Sequence, residues 1–338
     1  MDGMSSHRNP TAPIVGRLAP SPTGAQHVGN ARTFLLAWLS IRSQGGRLIL
    51  RMEDIDSPRV KPGAAQQAIE DLQWLGLDWD EGPDLGGPQL SYVQTERLAL
   101  YDRALRQLKD RELAYPCTCS RSEVAAAASA PHVGQEGPRY PGTCTGNNAA
   151  KGNELAPGTF AWRLRTSDQS RTFRDGLAEE VRCNVHAELG DFVIAKADGT
   201  PAYQLAVVVD DHEMGITEVV RGDDLLPSAF RQLELYDLFG WEPPRFIHVP
   251  LVIGEDGRRL AKRHGDTRLA TFRAAGVRSE QIIGLVAWSC GLLPEPTPVT
   301  PRELLPQFSW QAVRREPLPF VFTAEMQRNL LATNSHKS

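Results

Sequence analysis

Residues 16–39, GRLAPSPTGAQHVGNARTFLLAWL, decide how the chain begins to fold. A short apolar strand, IVGRL (14–18), enters a turn that holds two prolines, two glycines and one histidine before a helix starts. The helix is expected over 30–42, with Asn30 as its N-cap and Gly45-Gly46 ending it. RLILRM (47–52) reads as a second buried strand. Strand, helix and strand at this spacing predict a right-handed βαβ unit and a parallel sheet. A helix follows Pro62, with Ala65, Ile69, Leu72 and Leu75 on one face and Gly76 as its stop. Another is expected from Thr95 to Arg111.

The turn after the first strand suits an anion. A helix N-terminus offers unpaired N–H groups and the positive end of the helix dipole, and both favour phosphate. Gly24 and Gly29 would let backbone come close to a ligand, and His27 can donate to a phosphate oxygen. A histidine packed under the loop fits the spacing equally well. A second basic element lies in GEDGRRLAKRHGD (254–266), with Arg258, Arg259, Lys262, Arg263 and His264. Two such clusters around an α/β crevice suit a nucleoside triphosphate. On composition alone, a solvated basic loop is the plainer reading of the second.

Over 115–190 the texture changes to clustered Cys, Gly and Pro, an alanine-rich segment, and hairpin-like strands such as FAWRLR and GDFVIAKADG. Cys117, Cys119 and Cys144 make a credible tetrahedral Zn²⁺ site of the structural kind, which needs one more ligand. Tyr140 is the expected fourth ligand and His132 the competitor. The βα texture returns with AYQLAVVVDD (202–211) and GITEVVRGDD (215–224). Asp54, Asp56, Asp210 and Asp211 fall at apparent strand ends and are read as loop caps, outside the catalytic set. RFIHVPLVI (245–253) supplies a further strand, and residues 266–338 read as mainly helical.

The composition is ordinary for a globular protein: 338 residues, 41% apolar and 23% charged. A formal net charge of −4 does not announce a polyanion binder, so nucleic acid would have to be met by local patches. Five cysteines, an odd number, without an apolar leader argue against a disulfide framework. The longest apolar run, IIGLVAWSCGLL, is far short of the roughly 20 residues that span a membrane. A soluble, cytoplasmic monomer with no membrane partner is expected.

Taken together and in order, these segments resemble the catalytic half of the glutamyl-tRNA synthetases, class I enzymes built on a Rossmann fold. GRLAPSPTGAQHVGNART (16–33) is similar to their HIGH-motif segment, with His27-Val28-Gly29-Asn30 as the variant tetrapeptide. LRMEDID (50–56), WLGLDWDEGP (74–83) and VVVDDHEMGITEVVRGDD (207–224) are similar to later blocks, and RLAKRHG (259–265) to the KMSKS loop. The short tail after that loop and the CxC…Y…C cluster resemble the short paralogue family, the glutamyl-Q tRNA(Asp) synthetases.

The resemblance implies a Rossmann-type α/β fold with a parallel sheet, a zinc-containing insertion and a mainly helical C-terminal part. Residues 1–114 would form the first half of the catalytic domain, 115–190 the insertion, 191–265 the second half with the KMSKS-like loop, and 266–338 a helical region resembling a stem-contact domain. No anticodon-binding domain is expected. The implied activity is activation of L-glutamate with ATP without tRNA, then transfer of glutamate to queuosine in aspartate tRNA. By resemblance His27 and Lys262 are catalytic. Pro20, His27, Gly29, Asn30 and Lys262 hold ATP, which brings Mg²⁺. L-glutamate falls to Arg17, Ala19, Ser21, Glu53, Tyr203 and Arg221, and zinc to Cys117, Cys119, Tyr140 and Cys144. Arg259 and Ala261 stand where the family's loop usually has lysine and serine, and the interval between Cys119 and Tyr140 is longer than in the short paralogue. The competing readings are a truncated or discriminating glutamyl-tRNA synthetase charging glutamate tRNA, and a non-catalytic RNA-binding module.

Overall fold

The computed structural model describes residues 13–127, 138–258, 260, 266–314 and 319–332. The chain opens with β1 (Val15–Leu18), α1 (Val28–Arg42) and β2 (Arg47–Leu50), and the two strands pair in parallel with Arg17 opposite Ile49. This is the expected βαβ unit. Its closeness depends on Gly16, where a Cβ would lie 2.4 Å from Ile41 Cγ1 of the covering helix. Next come α2 (Ala64–Trp74), α3 (Leu98–Asp110), β3 (Ala114–Cys117) and α4 (Arg121–Ala127).

The segment that follows is antiparallel. β4 (Ala161–Leu164) pairs with β3 on one side and with β7 (Phe192–Ala195) on the other, and between them β5 (Ser170–Asp175) and β6 (Glu179–Asn184) form a separate hairpin. Thus FAWRLR and GDFVIAKADG are neighbours in one sheet, with the β5–β6 hairpin projecting between them.

α5 (Tyr203–Glu213), β8 (Glu218–Gly222), α6 (Leu226–Phe239) and β9 (Arg245–Val249) restore the parallel pattern, β8 pairing with β9. The two parallel pairs meet where Thr217 N donates to the Val15 carbonyl at 2.8 Å. β10 (Val252–Ile253), α7 (Leu269–Ala274), α8 (Ser279–Ser289), α9 (Pro301–Leu304), β11 (Phe320–Val321) and α10 (Ala324–Ala332) complete the described chain, with β10 and β11 paired in parallel. The strands of the β1–β2 and β8–β9 pairs pack on both faces. Leu48, Leu50, Val220 and Ile247 pack with α1, α2 and α8, whereas Val15, Ile49, Val219 and Phe246 pack with α3, α5 and α6. Among the described residues no helix is long and apolar enough to cross a membrane.

Two sequence expectations are corrected. AYQLAVVVDD is the body of helix α5, and Asp210 and Asp211 are interior helix residues rather than caps at strand ends. Every residue from Leu205 to Asp211 is buried, so packing on all sides overrides the strand preference of the valine run. The acids are charge partners. Arg51 has no exposed surface and donates to Asp211 Oδ1 at 2.7 Å and to Glu53 Oε1 at 2.8 Å. Asp210 accepts from Arg97 Nε at 2.7 Å, from Gln94 Nε2 at 2.9 Å and from the Tyr101 hydroxyl. Burial opposes the Arg51 charge, but Asp211, Glu53 and Asp210 overcome it and hold the guanidinium well above its ordinary pKa.

A second buried acid lies on α2. Asp71 is fully buried, accepts from Gln67 Nε2 at 3.0 Å and lies 3.6 Å from Arg273 on α7. Burial pushes its carboxyl up to about 6, against the pull of Arg273 and Gln67.

Two outcomes are expected in denaturant melts. Arg51→Met strands Glu53 and Asp211 without their shared cation and costs about 3–5 kcal/mol. For Asp71 the folded state binds the proton more tightly than the unfolded state, so its contribution falls as pH rises from about 4 towards about 6. Asp71→Asn removes that decline. The variant gains on the wild type as pH rises, by no more than about 3 kcal/mol above pH 6. Unchanged pH slopes in the two proteins would contradict the assignment.

Candidate active site

The loop from β1 to α1 and the ends of β2 and β8 enclose a cavity of about 730 Å³. It sits at the C-terminal ends of parallel strands, where open α/β sheets leave a crevice. Its walls include Arg17, Ala19, Pro20, Ser21, His27, Gly29, Asn30, Glu53, Tyr203 and Arg221. Every described residue that the family resemblance assigns to ATP or glutamate therefore lines this one cavity, whereas Arg258, read from the sequence as part of the second basic cluster, does not. Lys262, Arg259, Ala261, Arg263 and His264 lie outside the described residues, and so does His132.

The helix mouth differs from expectation. The N-cap of α1 is His27, not Asn30, and the helix starts at Val28. His27 is extended, its Nδ1 accepts from Gly29 N at 3.1 Å, and Asn30 Oδ1 accepts from His27 N at 3.1 Å. This reciprocal capping box uses donors that were expected to meet an anion. Val28 N donates to the Thr267 carbonyl at 3.3 Å, and Asn30 N and Ala31 N both donate to the His27 carbonyl. The positive end of the helix dipole still favours an anion at this mouth. With Nδ1 as an acceptor, a neutral ring carries its proton on Nε2. Gly29 permits the cap, because a Cβ there would lie 3.0 Å from His27 Cε1.

Arg17 on β1 and Arg221 on β8 are both buried. Arg17 Nη1 donates to the Val220 carbonyl at 3.2 Å, and its Nε, 3.8 Å from Asp211, has no hydrogen-bond partner among the described residues. Burial lowers its pKa despite Asp211. Arg221 donates through Nη1 to Gln232 Oε1 at 2.8 Å and through Nε to His248 Nε2 at 3.0 Å, while its Nη2 has no partner among the described residues. Among the described residues these two buried guanidinium nitrogens have no acceptor, and both arginines line the cavity, a setting that suits an anion. Glu53 adds a carboxylate anchored by Arg51. Tyr203 opens α5 at the cavity wall, and burial raises its hydroxyl pKa.

Sequence reasoning missed the residues behind this wall. Arg51, Gln232, His248 and Asp175 hold Glu53 and Arg221 in place. The signal for His248 was positional: in the parallel register it lies opposite Arg221.

The cysteine cluster lies in the antiparallel segment. The Sγ atoms of Cys117, Cys119 and Cys144 lie within 4.8 Å of one another, and Cys119 and Cys144 are 3.6 Å apart. The Tyr140 hydroxyl is 3.3 Å from Cys117 Sγ and 3.8 Å from Cys119 Sγ, and it accepts from Cys144 N at 2.8 Å. Tetrahedral zinc with sulfur at about 2.3 Å separates sulfurs by about 3.8 Å, so the donor set fits that ion. Burial and the Cys117 contact push the Tyr140 hydroxyl pKa up, and Arg163 stacks on its ring at 3.8 Å.

Comparison with known proteins agrees with this geometry. Residues 13–291 match the catalytic domain of the class I tRNA synthetases (E and Q). A glutamyl-Q tRNA(Asp) synthetase of Rhodopirellula baltica is 51% identical over 90% of this chain and 95% of its own length. One from Symbiobacterium thermophilum is also 51% identical, with the same coverage. Among solved structures, the glutamate-tRNA synthetase of Elizabethkingia anophelis superposes with a TM-score of 0.79 at 30% identity, over 94% of this chain and 70% of that one. The chain belongs to the class I glutamyl and glutaminyl tRNA synthetases, and within them to the glutamyl-Q tRNA(Asp) synthetases.

Proposed function

We propose that the protein activates L-glutamate with ATP, releasing pyrophosphate, and then transfers the glutamyl group to queuosine in the anticodon loop of aspartate tRNA. The observation that carries the activation step is the pair of orphaned buried donors, Arg17 Nε and Arg221 Nη2, beside a cavity that also holds Glu53 and His27. The first reaction is in-line attack of the glutamate α-carboxylate on the α-phosphorus of ATP. Such a step depends on positioning and charge neutralisation more than on a general base.

The two arginines receive the side-chain carboxylate, where guanidinium donors fit well. Glu53, fixed through one oxygen by Arg51, attracts the α-ammonium. Tyr203 adds a neutral hydrogen bond, with Ala19 and Ser21 framing the amino acid. By family likeness His27 meets the triphosphate near Pro20, Gly29 and Asn30. By family likeness Lys262 neutralises the departing pyrophosphate, which leaves with Mg²⁺. Cys117, Cys119, Tyr140 and Cys144 would hold one structural Zn²⁺, which ties β3 to the segment after residue 138. The acceptor assignment is supported by relatives that carry the glutamyl-Q name and match along 95% of their length.

The acceptor is tested by offering labelled glutamate to two tRNAs. Label is expected on queuosine-containing aspartate tRNA and to vanish when queuosine is absent. Label on glutamate tRNA alone would replace this reading with a conventional synthetase. For the metal, purified protein is expected to hold one zinc per chain, and Cys144→Ser to lower both zinc content and melting temperature. Folded, active protein without zinc would remove the metal from the account.

A further inference from the structure

One charged chain of contacts reaches the cavity from outside it. Arg221 on β8 and His248 on β9 are directly opposite in the parallel register, so their side chains share a face. Arg221 Nε donates to His248 Nε2 at 3.0 Å. On the far side of the ring, His248 Nδ1 lies 2.6 Å from Asp175 Oδ2. Asp175 ends β5, the first strand of the hairpin that the antiparallel segment projects onto β9. Gly176 N donates to the Phe246 carbonyl at 2.9 Å, and a Cβ at Gly176 would lie 2.5 Å from Ile247 Cγ1, so the hairpin sits directly on the strand.

We propose that Asp175 and His248 are positioning residues that set the Arg221 guanidinium for the glutamate side chain, through the tautomer of one imidazole. This rests on the glutamate reading given above. Asp175 has fixed orientation, because its Oδ1 accepts from Leu177 N at 2.9 Å and from Ala178 N at 3.0 Å. Its Oδ2 therefore faces the ring and takes the proton of Nδ1. A neutral His248 with Nδ1–H has a lone pair on Nε2, and only that tautomer can accept from Arg221. Burial keeps His248 below its ordinary pKa, against the pull of Asp175, which favours the neutral ring. Gln232 holds Nη1 from the other side at 2.8 Å. With Nε and Nη1 both bound, rotation of the guanidinium is fixed, and Nη2 is the donor left without a partner.

Asp175→Asn tests the tautomer. An asparagine that keeps its oxygen on the Leu177 and Ala178 amides turns its NH₂ towards Nδ1. The ring then carries its proton on Nε2, and two N–H groups face each other across 3.0 Å. His248→Leu removes the acceptor altogether. His248→Gln keeps it, since a glutamine can present its carbonyl to Arg221 and its amide to Asp175.

The readout is glutamate-dependent ATP–pyrophosphate exchange by the full chain, with KM measured for glutamate and for ATP. Asp175→Asn and His248→Leu are expected to raise the glutamate KM about tenfold to a hundredfold, the range set by an unpaired buried donor. The ATP KM should stay within about twofold, and His248→Gln should recover most of the loss. Arg221→Leu serves as the reference. If it leaves the glutamate KM unchanged, the glutamate site itself is misassigned. If it raises that KM while Asp175→Asn, His248→Leu and His248→Gln all match the wild type, the positioning role is wrong. Equal rises in both KM values with a lower melting temperature would make the pair merely structural and overturn the proposal. Should His248→Leu not fold, the contrast between Asp175→Asn and His248→Gln decides alone.

Discussion

A guanidinium with no exposed surface, Arg51, organises the interior of this protein. A buried charge is tolerated only when paired and hydrogen-bonded. Here the pairing reaches in two directions. Glu53 follows on the same chain end after β2, whereas Asp211 comes from α5, about 160 residues later in sequence. The contact therefore fixes the two halves of the parallel architecture against each other. It also fixes the cavity wall, because Glu53 faces the cavity and Asp211 lies 3.8 Å from Arg17 Nε. A substitution at Arg51 would disturb stability and site geometry together.

The same economy governs the mouth of α1. His27 caps the helix with one ring nitrogen and lines the cavity with the rest of the side chain. Capping fixes which nitrogen carries the proton, so a structural hydrogen bond sets the chemical face of the site. Asp175 does the equivalent for His248. In both places one contact at Nδ1 defines the tautomer: Gly29 N at 3.1 Å for His27, two residues away, and Asp175 Oδ2 at 2.6 Å for His248, 73 residues away.

How much of this was legible in the sequence follows from the range of each interaction. The βαβ opening, the glycine stops and the membership of the cavity could be read, because they rest on local pattern and on motif segments that stay contiguous. The N-cap was placed three residues late because asparagine is the commoner cap and the ring of His27 was read as a phosphate donor or as packed under the loop, not as a cap. AYQLAVVVDD was read with strand texture because its β-branched run carries no polar face; only the packing around α5 makes it helical. Asp210 and Asp211 were set aside as caps for the same reason. His248 and Asp175 were invisible, since their roles arise from strand register and from a hairpin laid across another strand. Neither is encoded in a spacing.

The antiparallel segment is consequently more than the carrier of a cysteine cluster. At one end it gathers three thiols and a phenol, and at the other its hairpin delivers Asp175 to the back of the catalytic wall. In the wall it supports, Glu53 supplies acceptors, whereas the two guanidinium groups are donors only. Arg17 Nε and Arg221 Nη2 have hydrogens to give and no lone pairs to receive. A carboxylate meets both with acceptor oxygens. A carboxamide of the same shape must turn its NH₂ towards one of them and leave that buried donor unpaired, at a cost of about 1–3 kcal/mol. Discrimination between an acid and its amide then depends on whether the arginines are free to swing away. Arg221 is not, because its Nε and Nη1 are held by His248 and Gln232. On the proposed reading, that rigidity is supplied from behind the cavity by His248 and Gln232.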